Sequence, residues 1–298
     1  MEQDKITLSI NIFTKLYVNL LLLFREKIAI RDFVYRFLAS SVSVCTIHGE
    51  IRPIEVKKVP LYQGRYNYQV LYISGVVLAM SLSHNSSVME VAQAIAGHLS
   101  HNCDNLLNVV VVPPGWIHIH LTDFTLAAWL QTVTLDGFDV PELDFSREQD
   151  LSVIFKIQYV HARCVSLLRT ADRENLIKLI YTNSGNVLSA ESLPWLNGNN
   201  QLYLHHHDER FLLHQLIKMV DILFDNDCKH YKSMNWLEAG YKLCQAWEKF
   251  WSSCRIWGEV KTDTVELSQS RLGLLIVTHL VLKSLLERRL GVVAPLEL

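Results

Sequence analysis

Polar side chains interrupt the apolar segment FKIQYVHARCVSLLR at residues 155–169. If this segment is a helix, Lys156, Tyr159, Arg163 and Ser166 fall within a sector of roughly 80°, because residues three and four apart share a face. An aromatic ring between two cations can stack on a base while the cations hold phosphates. Alternatively, the tyrosine and arginine hydrogen-bond to neighbouring helices, and this helix taken alone slightly favours that interpretation.

Other chemically active residues are better explained as structural. His118 and His120 lie on one face of a predicted strand, but zinc needs at least three protein ligands and no third is evident. The run of histidines at 205–207 precedes an acidic helix start and is expected in an exposed loop. His161 and Cys164 are three apart on a helix whose cysteine falls among apolar residues, which predicts a buried thiol. We therefore predict no metal, no cofactor and no catalytic residue.

The distribution of charge limits the class of partner. The 298 residues carry a net charge of −2, and residues 132–150 alone hold one basic and six acidic residues. The flanking regions are close to neutral, without the basic excess of a nonspecific DNA binder, so DNA is not predicted as a partner. Half the residues are hydrophobic and 19% are charged, which is typical of a folded, soluble protein.

The cysteines and the N-terminal apolar segment bear on location. Six cysteines without a CxxC pair suit neither a zinc site nor a disulfide framework and favour a reduced, cytoplasmic setting. The apolar run KLYVNLLLLF at 15–24 is too short to span a bilayer, so it is interpreted as an amphipathic core helix and no membrane partner is predicted.

Periodicity predicts an α+β N-terminal domain at 1–131, an acidic linker at 132–150 and an all-α helical bundle at 151–298. In the N-terminal half we expect a helix from residue 8 to about 40, a strand at 51–59, a helix near 70–82, a helix after the Ser87–Glu90 capping box, two strands around a Pro-Pro-Gly turn at 106–121 and a helix over DFTLAAWLQ. In the bundle, helices are expected near 151–170, 172–182, 208–225, 235–254 and 268–290.

Three segments of the second half resemble one family. IQYVHARCVSLLR is similar to the opening helix of the DALR anticodon-binding domain of arginyl-tRNA synthetases, roughly VQYAHARxxSILR. LCQAWEKFWSSCRI resembles the family's LAxxFxxFYxxCxV helix, with Trp247, Phe250 and Trp251 at aromatic positions. SRLGLLIVTHLVLKSLLERRLGVVAPLEL resembles its closing helix and tail, with Arg271 at the arginine of an Arg-Leu pair and Leu298 in place of the usual terminal methionine.

The first half resembles the N-terminal domain of the same enzymes, which contacts the tRNA D-loop. YNYQVLYISGVVLAMSL is similar to the DYQxNxAMxLA segment, with Asn67, Tyr68 and Gln69 at the Asp-Tyr-Gln positions, and VVPPGWIHIHLTD is similar to PGFINFxLSD. In those synthetases a catalytic domain with HIGH and KMSKS-like motifs separates the two regions. Here only residues 132–150 lie between them, so the resemblance implies a protein without the ATP and arginine sites.

The resemblance therefore implies a non-catalytic, cytoplasmic tRNA-binding protein whose ligand is the anticodon arm of tRNA(Arg). The implied anticodon-binding residues are Tyr159, Arg163, Trp247, Phe250, Trp251 and Arg271, and the implied D-loop-binding residues are Asn67, Tyr68 and Gln69. One alternative is an interaction subunit of a protein assembly that kept the fold and lost RNA binding. A further alternative is a chain that acts with a catalytic partner in trans or delivers tRNA to a modifying enzyme.

Overall fold

The computed structural model describes residues 15–47, 59–66, 69–80, 87–103, 105–141, 150–181, 187–225 and 234–298. These residues belong to two compact units, one of Ala29–Leu126 and one that combines the described residues up to Ile28 with Ala127–Leu298. An antiparallel sheet with helices comes first in the chain and a mainly helical region follows, so the predicted fold class is confirmed. The predicted domain limits, 1–131 and 151–298 around the segment 132–150, stay a prediction.

The first part of the chain alternates helices and strands. Its elements are α1 (residues 15–26), α2 (Ile30–Ile47), β1 (Tyr62–Tyr66), β2 (Gln69–Ser74), α3 (Val76–Ala79), α4 (Val88–Asn102), β3 (Leu107–Val112), β4 (Trp116–Leu121) and α5 (Asp123–Asp136). The four strands form one antiparallel sheet in the order β1-β2-β4-β3, and α2 packs against α4.

Local sequence signals in this part are confirmed. The Ser87 hydroxyl accepts a hydrogen bond from the Glu90 backbone N–H at 3.1 Å, and the Glu90 carboxylate accepts one from the Ser87 N–H at 3.0 Å, which is the predicted capping box of α4. The Pro-Pro-Gly turn joins β3 to β4 as predicted. Along β4, Ile117, Ile119 and Leu121 are buried while the two histidines lie on the opposite, half-buried face.

The helix predicted near residues 70–82 is wrong. The segment instead forms β2, followed by the single helical turn α3. β2 lies between β1 and β4, and its residues Val70, Leu71 and Tyr72 are buried. Because this strand has both neighbours and little exposed surface, its sequence is a continuous apolar run, which periodicity does not distinguish from a helix.

Long-range contacts change two further boundaries. The helix predicted from residue 8 to about 40 is interrupted at residues 27–29, where the Ile28 carbonyl accepts a 2.8 Å hydrogen bond from Trp129 Nε1. α5 extends to Asp136, five residues into the predicted linker. Residues 8–14, and residues 51–58 of the predicted strand at 51–59, lie outside the described part of the chain.

The second part of the chain contains most of the long helices. Its elements are α6 (Leu151–Arg173), β5 (Leu179–Tyr181), β6 (Val187–Ala190), α7 (His207–Leu223), α8 (Trp236–Ser253), α9 (Glu259–Asp263) and α10 (Val265–Arg288). The helices predicted near 151–170, 208–225, 235–254 and 268–290 are confirmed as α6, α7, α8 and α10.

The helix predicted at 172–182 is wrong, because α6 ends at Arg173 and an antiparallel pair of short strands follows. Asn175 adopts a left-handed conformation with φ 56°, which terminates the helix. The Asp172 carboxylate then accepts hydrogen bonds from the Leu179 backbone N–H at 3.0 Å and from the Tyr181 hydroxyl at 2.8 Å. These contacts hold the start of β5 against the end of α6.

α10 forms the centre of the bundle and packs against α6, α7 and α8. α6 and α10 are long and apolar enough to cross a membrane by length and composition, yet 50% and 78% of their most apolar windows are buried inside the fold. α10 is apolar on nearly all sides and covered by other helices, which is typical of a core helix, whereas α6 is covered on one side.

Candidate nucleic-acid interface

α6 presents the predicted stripe to solvent. The helix begins after the N-cap Asp150, whose carboxylate accepts hydrogen bonds from the backbone N–H groups of Ser152 and Val153. Tyr159, Arg163 and Ser166 are exposed, and the Tyr159 side chain keeps 49% of its surface in solvent. The opposite side of the helix is buried and consists of Ile154, Ile157, Val160, His161, Ala162, Cys164, Val165, Leu167, Leu168 and Ala171. The helical-wheel prediction is therefore confirmed for these three exposed residues.

Lys156 is the one member of the stripe that is only half-exposed. Its ammonium lies 3.2 Å from the Glu248 carboxylate and 4.5 Å from the centroid of the Tyr241 ring. Both contacts connect α6 to α8, so part of this positive charge is already neutralised within the protein. Arg163 is consequently the cation of the stripe that is better placed to meet a ligand.

Arg163 stacks on a row of tryptophan rings, of which Trp247 and Trp251 belong to α8. Its guanidinium lies 5.7 Å from the centroid of the Trp251 ring, and Trp251 stacks parallel on Trp247 with centroids 6.0 Å apart. Trp257, after the end of α8, meets Trp251 edge to face at 6.3 Å. Such pairs hold the rings in fixed orientations, so an aromatic and cationic surface exists before any ligand arrives.

The buried face of α6 has no reactive character. His161 Nδ1 lies 2.9 Å from the Pro295 carbonyl oxygen, and burial lowers the pKa of this histidine to about 4. Burial also raises the pKa of the Cys164 thiol far above its ordinary range, so the sulfur remains protonated and weakly nucleophilic. The structural interpretation of this pair is confirmed. Among the residues that the structure describes, no group of three or more His, Cys, Asp or Glu side chains is arranged to hold a metal ion.

Comparison with known proteins finds a family model that is similar to part of the second half of the chain. Residues 157–298 match the family model of the DALR anticodon binding domain, a range that begins within α6 and includes α7, α8 and α10. The helical bundle is of the DALR anticodon-binding type. An arginine–tRNA ligase from Synechococcus sp. (strain JA-3-3Ab) is 30% identical over 158 residues, which are 52% of this chain and 24% of the ligase. The matched region thus spans about a quarter of that relative's length. No solved structure matches.

Three of the anticodon-binding residues predicted for the DALR bundle lie inside it. Phe250 is fully buried, Trp247 is 3% exposed and Arg271 is 8% exposed. Trp247 and Phe250 are three apart on the apolar face of α8, whereas Trp251 follows Phe250 by 100° and is half-exposed. Direct stacking on a base therefore does not fit Phe250, and the buried Trp247 reaches the surface only through its stacking on Trp251.

Arg271 also has a role inside the DALR bundle. Its Nε donates a 2.6 Å hydrogen bond to the buried carboxylate of Glu209, and its Nη1 donates to the Arg255 carbonyl. The guanidinium thereby ties α10 to the first turn of α7 and to the chain that leaves α8. The sequence suggested two roles, phosphate contact and support of the surface; this buried position favours support, and both roles stay predictions.

The predicted D-loop residues cannot be placed together. Asn67 and Tyr68 lie outside the described residues, and Gln69 is exposed at the first position of β2, opposite Tyr66 of β1. Their contact with tRNA stays a prediction.

Two aromatic residues beside the stripe, the exposed Phe155 and the half-buried Trp257, were missed by sequence reasoning. Phe155 is 58% exposed and lies one turn before Tyr159 on the same side of α6. Trp257 donates from Nε1 to the Glu174 carboxylate at 3.0 Å, and Lys261 binds the same carboxylate at 2.8 Å. Phe155 could have been found from its i, i+4 spacing to Tyr159, whereas no local signal identifies Trp257.

Proposed function

We propose that this chain binds tRNA(Arg) through the anticodon arm, using the exposed stripe of α6 and the tryptophans of α8, and that it does not itself aminoacylate the tRNA. The observation that carries the proposal is the half-exposed Tyr159 ring beside an Arg163 that is stacked on Trp251. The DALR match supports an anticodon as the ligand, and the name of the ligase relative supports arginine as the tRNA identity.

The chemistry of the stripe suits unpaired bases. Tyr159 and Trp251 offer ring faces on which the bases of an anticodon loop can stack, and each stacked base contributes about 1–3 kcal/mol. Arg163 lies between them and can pair with a phosphate while its stacking on Trp251 holds it in place. No carboxylate among the described residues lies within 4 Å of the Arg163 guanidinium, so no ion pair needs to be broken first.

The non-catalytic part of the proposal rests on the spacing of the two tRNA-binding regions. In the synthetases that this chain resembles, the ATP- and arginine-binding domain lies between those regions, whereas residues 132–150 take its place here. α5 occupies the first five of these residues, which leaves even less chain between them. A cytoplasmic location is part of the same proposal.

A protein subunit role has one specific observation in its favour. At the start of α6, Leu151 is 75% exposed and Phe155 is 58% exposed, one turn apart on the same side of the helix. Exposed apolar side chains at this spacing suit the docking of a partner such as a tRNA-modifying enzyme. This role is compatible with RNA binding at Tyr159, and it would be the sole function if RNA binding were absent.

The test measures the dissociation constants of tRNA(Arg) and non-cognate tRNA transcripts at two salt concentrations. Tyr159→Ala and Trp251→Ala should each weaken tRNA(Arg) binding by roughly 5- to 150-fold, the equivalent of one lost base stack. Tyr159→Phe is the matched control, because it keeps the ring and should retain most of the affinity. Absence of tRNA binding by the unmodified protein at low salt would reject the proposal and leave the subunit role.

A further inference from the structure

A pocket of about 590 Å³ opens at the C-terminal end of α6. Its lining residues come from α6, β5 and the segment that follows α10, and they are Ser166, Arg169, Asp172, Arg173, Tyr181, Leu296 and Glu297. Ser166 also belongs to the exposed stripe, so the pocket continues the surface that carries Tyr159 and Arg163.

The one acidic residue of α6 in the pocket is satisfied by neutral donors. Asp172 Oδ1 accepts from the Leu179 backbone N–H at 3.0 Å, and Asp172 Oδ2 accepts from the Tyr181 hydroxyl at 2.8 Å. Burial, and next the hydrogen bond to Asp172, raise the pKa of Tyr181 to about 12, so the phenol keeps the proton that it donates. The Asp172 carboxylate is therefore used for the hydrogen bonds that connect β5 to α6.

Two arginines line the pocket. Among the residues that the structure describes, Arg173 donates to its own helix, from Nε to the Arg169 carbonyl and from Nη2 to the Thr170 hydroxyl, both at 3.3 Å. None of the carboxylates that the structure describes lies within 4 Å of Arg173. Arg169 pairs through Nη1 with Glu297 at 3.0 Å, and the Glu297 side chain is 85% exposed. An ion pair with so exposed a carboxylate is weak and readily exchanged.

We propose that this pocket binds a phosphate of the RNA backbone, with Arg169 and Arg173 as the donors and Glu297 as the anion that the phosphate displaces. Arginine suits this role because its planar fork can donate two hydrogen bonds to one phosphate. Arg163 and Arg173 are ten residues apart on α6, a distance of roughly 15 Å along the helix axis. A strand that stacks on Tyr159 would reach the pocket by following α6 past Ser166.

This inference rests on the proposed function, and its test uses the full chain, a tRNA(Arg) transcript and a series of salt concentrations. Arg173→Gln should weaken binding about tenfold at low salt for cognate and non-cognate tRNA alike. It should also reduce the slope of log affinity against log salt by about 0.7, the value for one single-strand phosphate contact. Glu297→Gln should tighten binding about two- to fivefold, because the competing carboxylate is removed.

Lys178→Gln is the matched control. Lys178 is exposed immediately before β5 and pairs with Glu191, and it does not line the pocket, so affinity and salt slope should stay as in the unmodified protein. Opposite shifts for Arg173→Gln and Glu297→Gln would not arise from a loss of folding, since Glu297 is exposed. If the unmodified protein binds tRNA and both variants match it, the pocket inference fails and the anticodon proposal stands. If the unmodified protein binds no tRNA, both fail together.

Discussion

Replacing Arg271 by methionine would leave the buried Glu209 carboxylate without its cation. Arg271 Nε lies 2.6 Å from Glu209 Oε1, the Glu209 residue is 0% exposed and Arg271 is 8% exposed. The second carboxylate oxygen accepts from the His206 backbone N–H at 2.8 Å, which is the one described hydrogen bond that the Glu209 carboxylate would keep. Removal of one partner from a buried ion pair typically costs about 3–5 kcal/mol, because the remaining charge stays desolvated. We expect Arg271→Met to lower the free energy of unfolding by that amount.

Urea unfolding followed by tryptophan fluorescence measures this cost, provided that the dependence of the free energy on urea concentration is unchanged. Glu209→Gln combined with Arg271→Met should recover part of the loss, because no lone charge then remains inside the bundle. Lys178→Met is the control: it removes a cation from an exposed pair, and no measurable change is expected. A loss below about 1 kcal/mol for Arg271→Met would refute the reasoning, since that value is typical of exposed pairs.

The same variant also decides between the two roles suggested for Arg271. If it supports the surface from inside, then folded Arg271→Met protein at low temperature keeps the salt slope of tRNA binding. If it contacts phosphate, the slope falls by about 0.7. The position of the guanidinium between Glu209 and the Arg255 carbonyl predicts the first result.

Two further predictions concern the buried groups of α6 and two glycines. Burial lowers the pKa of His161 to about 4 against an ordinary value of 6.5, so the unfolded chain takes up this proton first as the pH falls. Protonation of His161 should therefore decrease the free energy of unfolding by about 2 kcal/mol between pH 7.5 and pH 5.0. In urea unfolding, the His161→Gln variant should lack this pH-dependent decrease. Equal decreases in the variant and the unmodified protein would contradict the prediction. A Cβ on Gly240 would lie 2.6 Å from Ile157 Cδ1 and 2.7 Å from Leu285 Cδ2, whereas one on the exposed Gly97 would meet nothing within 4 Å. Gly240→Val should therefore cost about 1–3 kcal/mol and Gly97→Ala should gain about 0.5–1 kcal/mol in thermal or urea unfolding, and a change of the same sign in both would refute the packing argument.

Elements with local signals could be predicted from the sequence. The Ser87–Glu90 capping box, the Pro-Pro-Gly hairpin and the alternation along β4 depend on neighbouring residues, and all three are confirmed. The failures depend on distant contacts. The break at Ile28 is stabilised by Trp129, a hundred residues later in the chain, and β2 is a strand because two other strands pair with it. Periodicity contains neither kind of information.

The candidate site divides in the same way. The exposed stripe follows from helical geometry, so Tyr159 and Arg163 could be placed on the surface from the sequence. α10 has no single apolar face, so helical geometry does not distinguish its buried polar residues, such as Arg271, from exposed ones. The apolar character of Phe155 gives no sign of its exposure, whereas its spacing to Tyr159 places it on the exposed side.

In the DALR bundle, the predicted site residues fall into an exposed set and a buried set, and substitutions in the two sets should have different effects. Tyr159 and Arg163 make few contacts that the fold needs, so their variants should change RNA affinity at nearly constant stability. Phe250 and Arg271 are interior, and their variants should change stability first. If a Tyr159 variant loses tRNA binding and keeps its stability, Tyr159 contacts the tRNA. If a Phe250 variant loses tRNA binding, the loss shows only that the bundle has unfolded. Because the two sets lie on adjoining helices, stability has to be measured beside affinity for every variant before the stripe is accepted as the anticodon-binding surface.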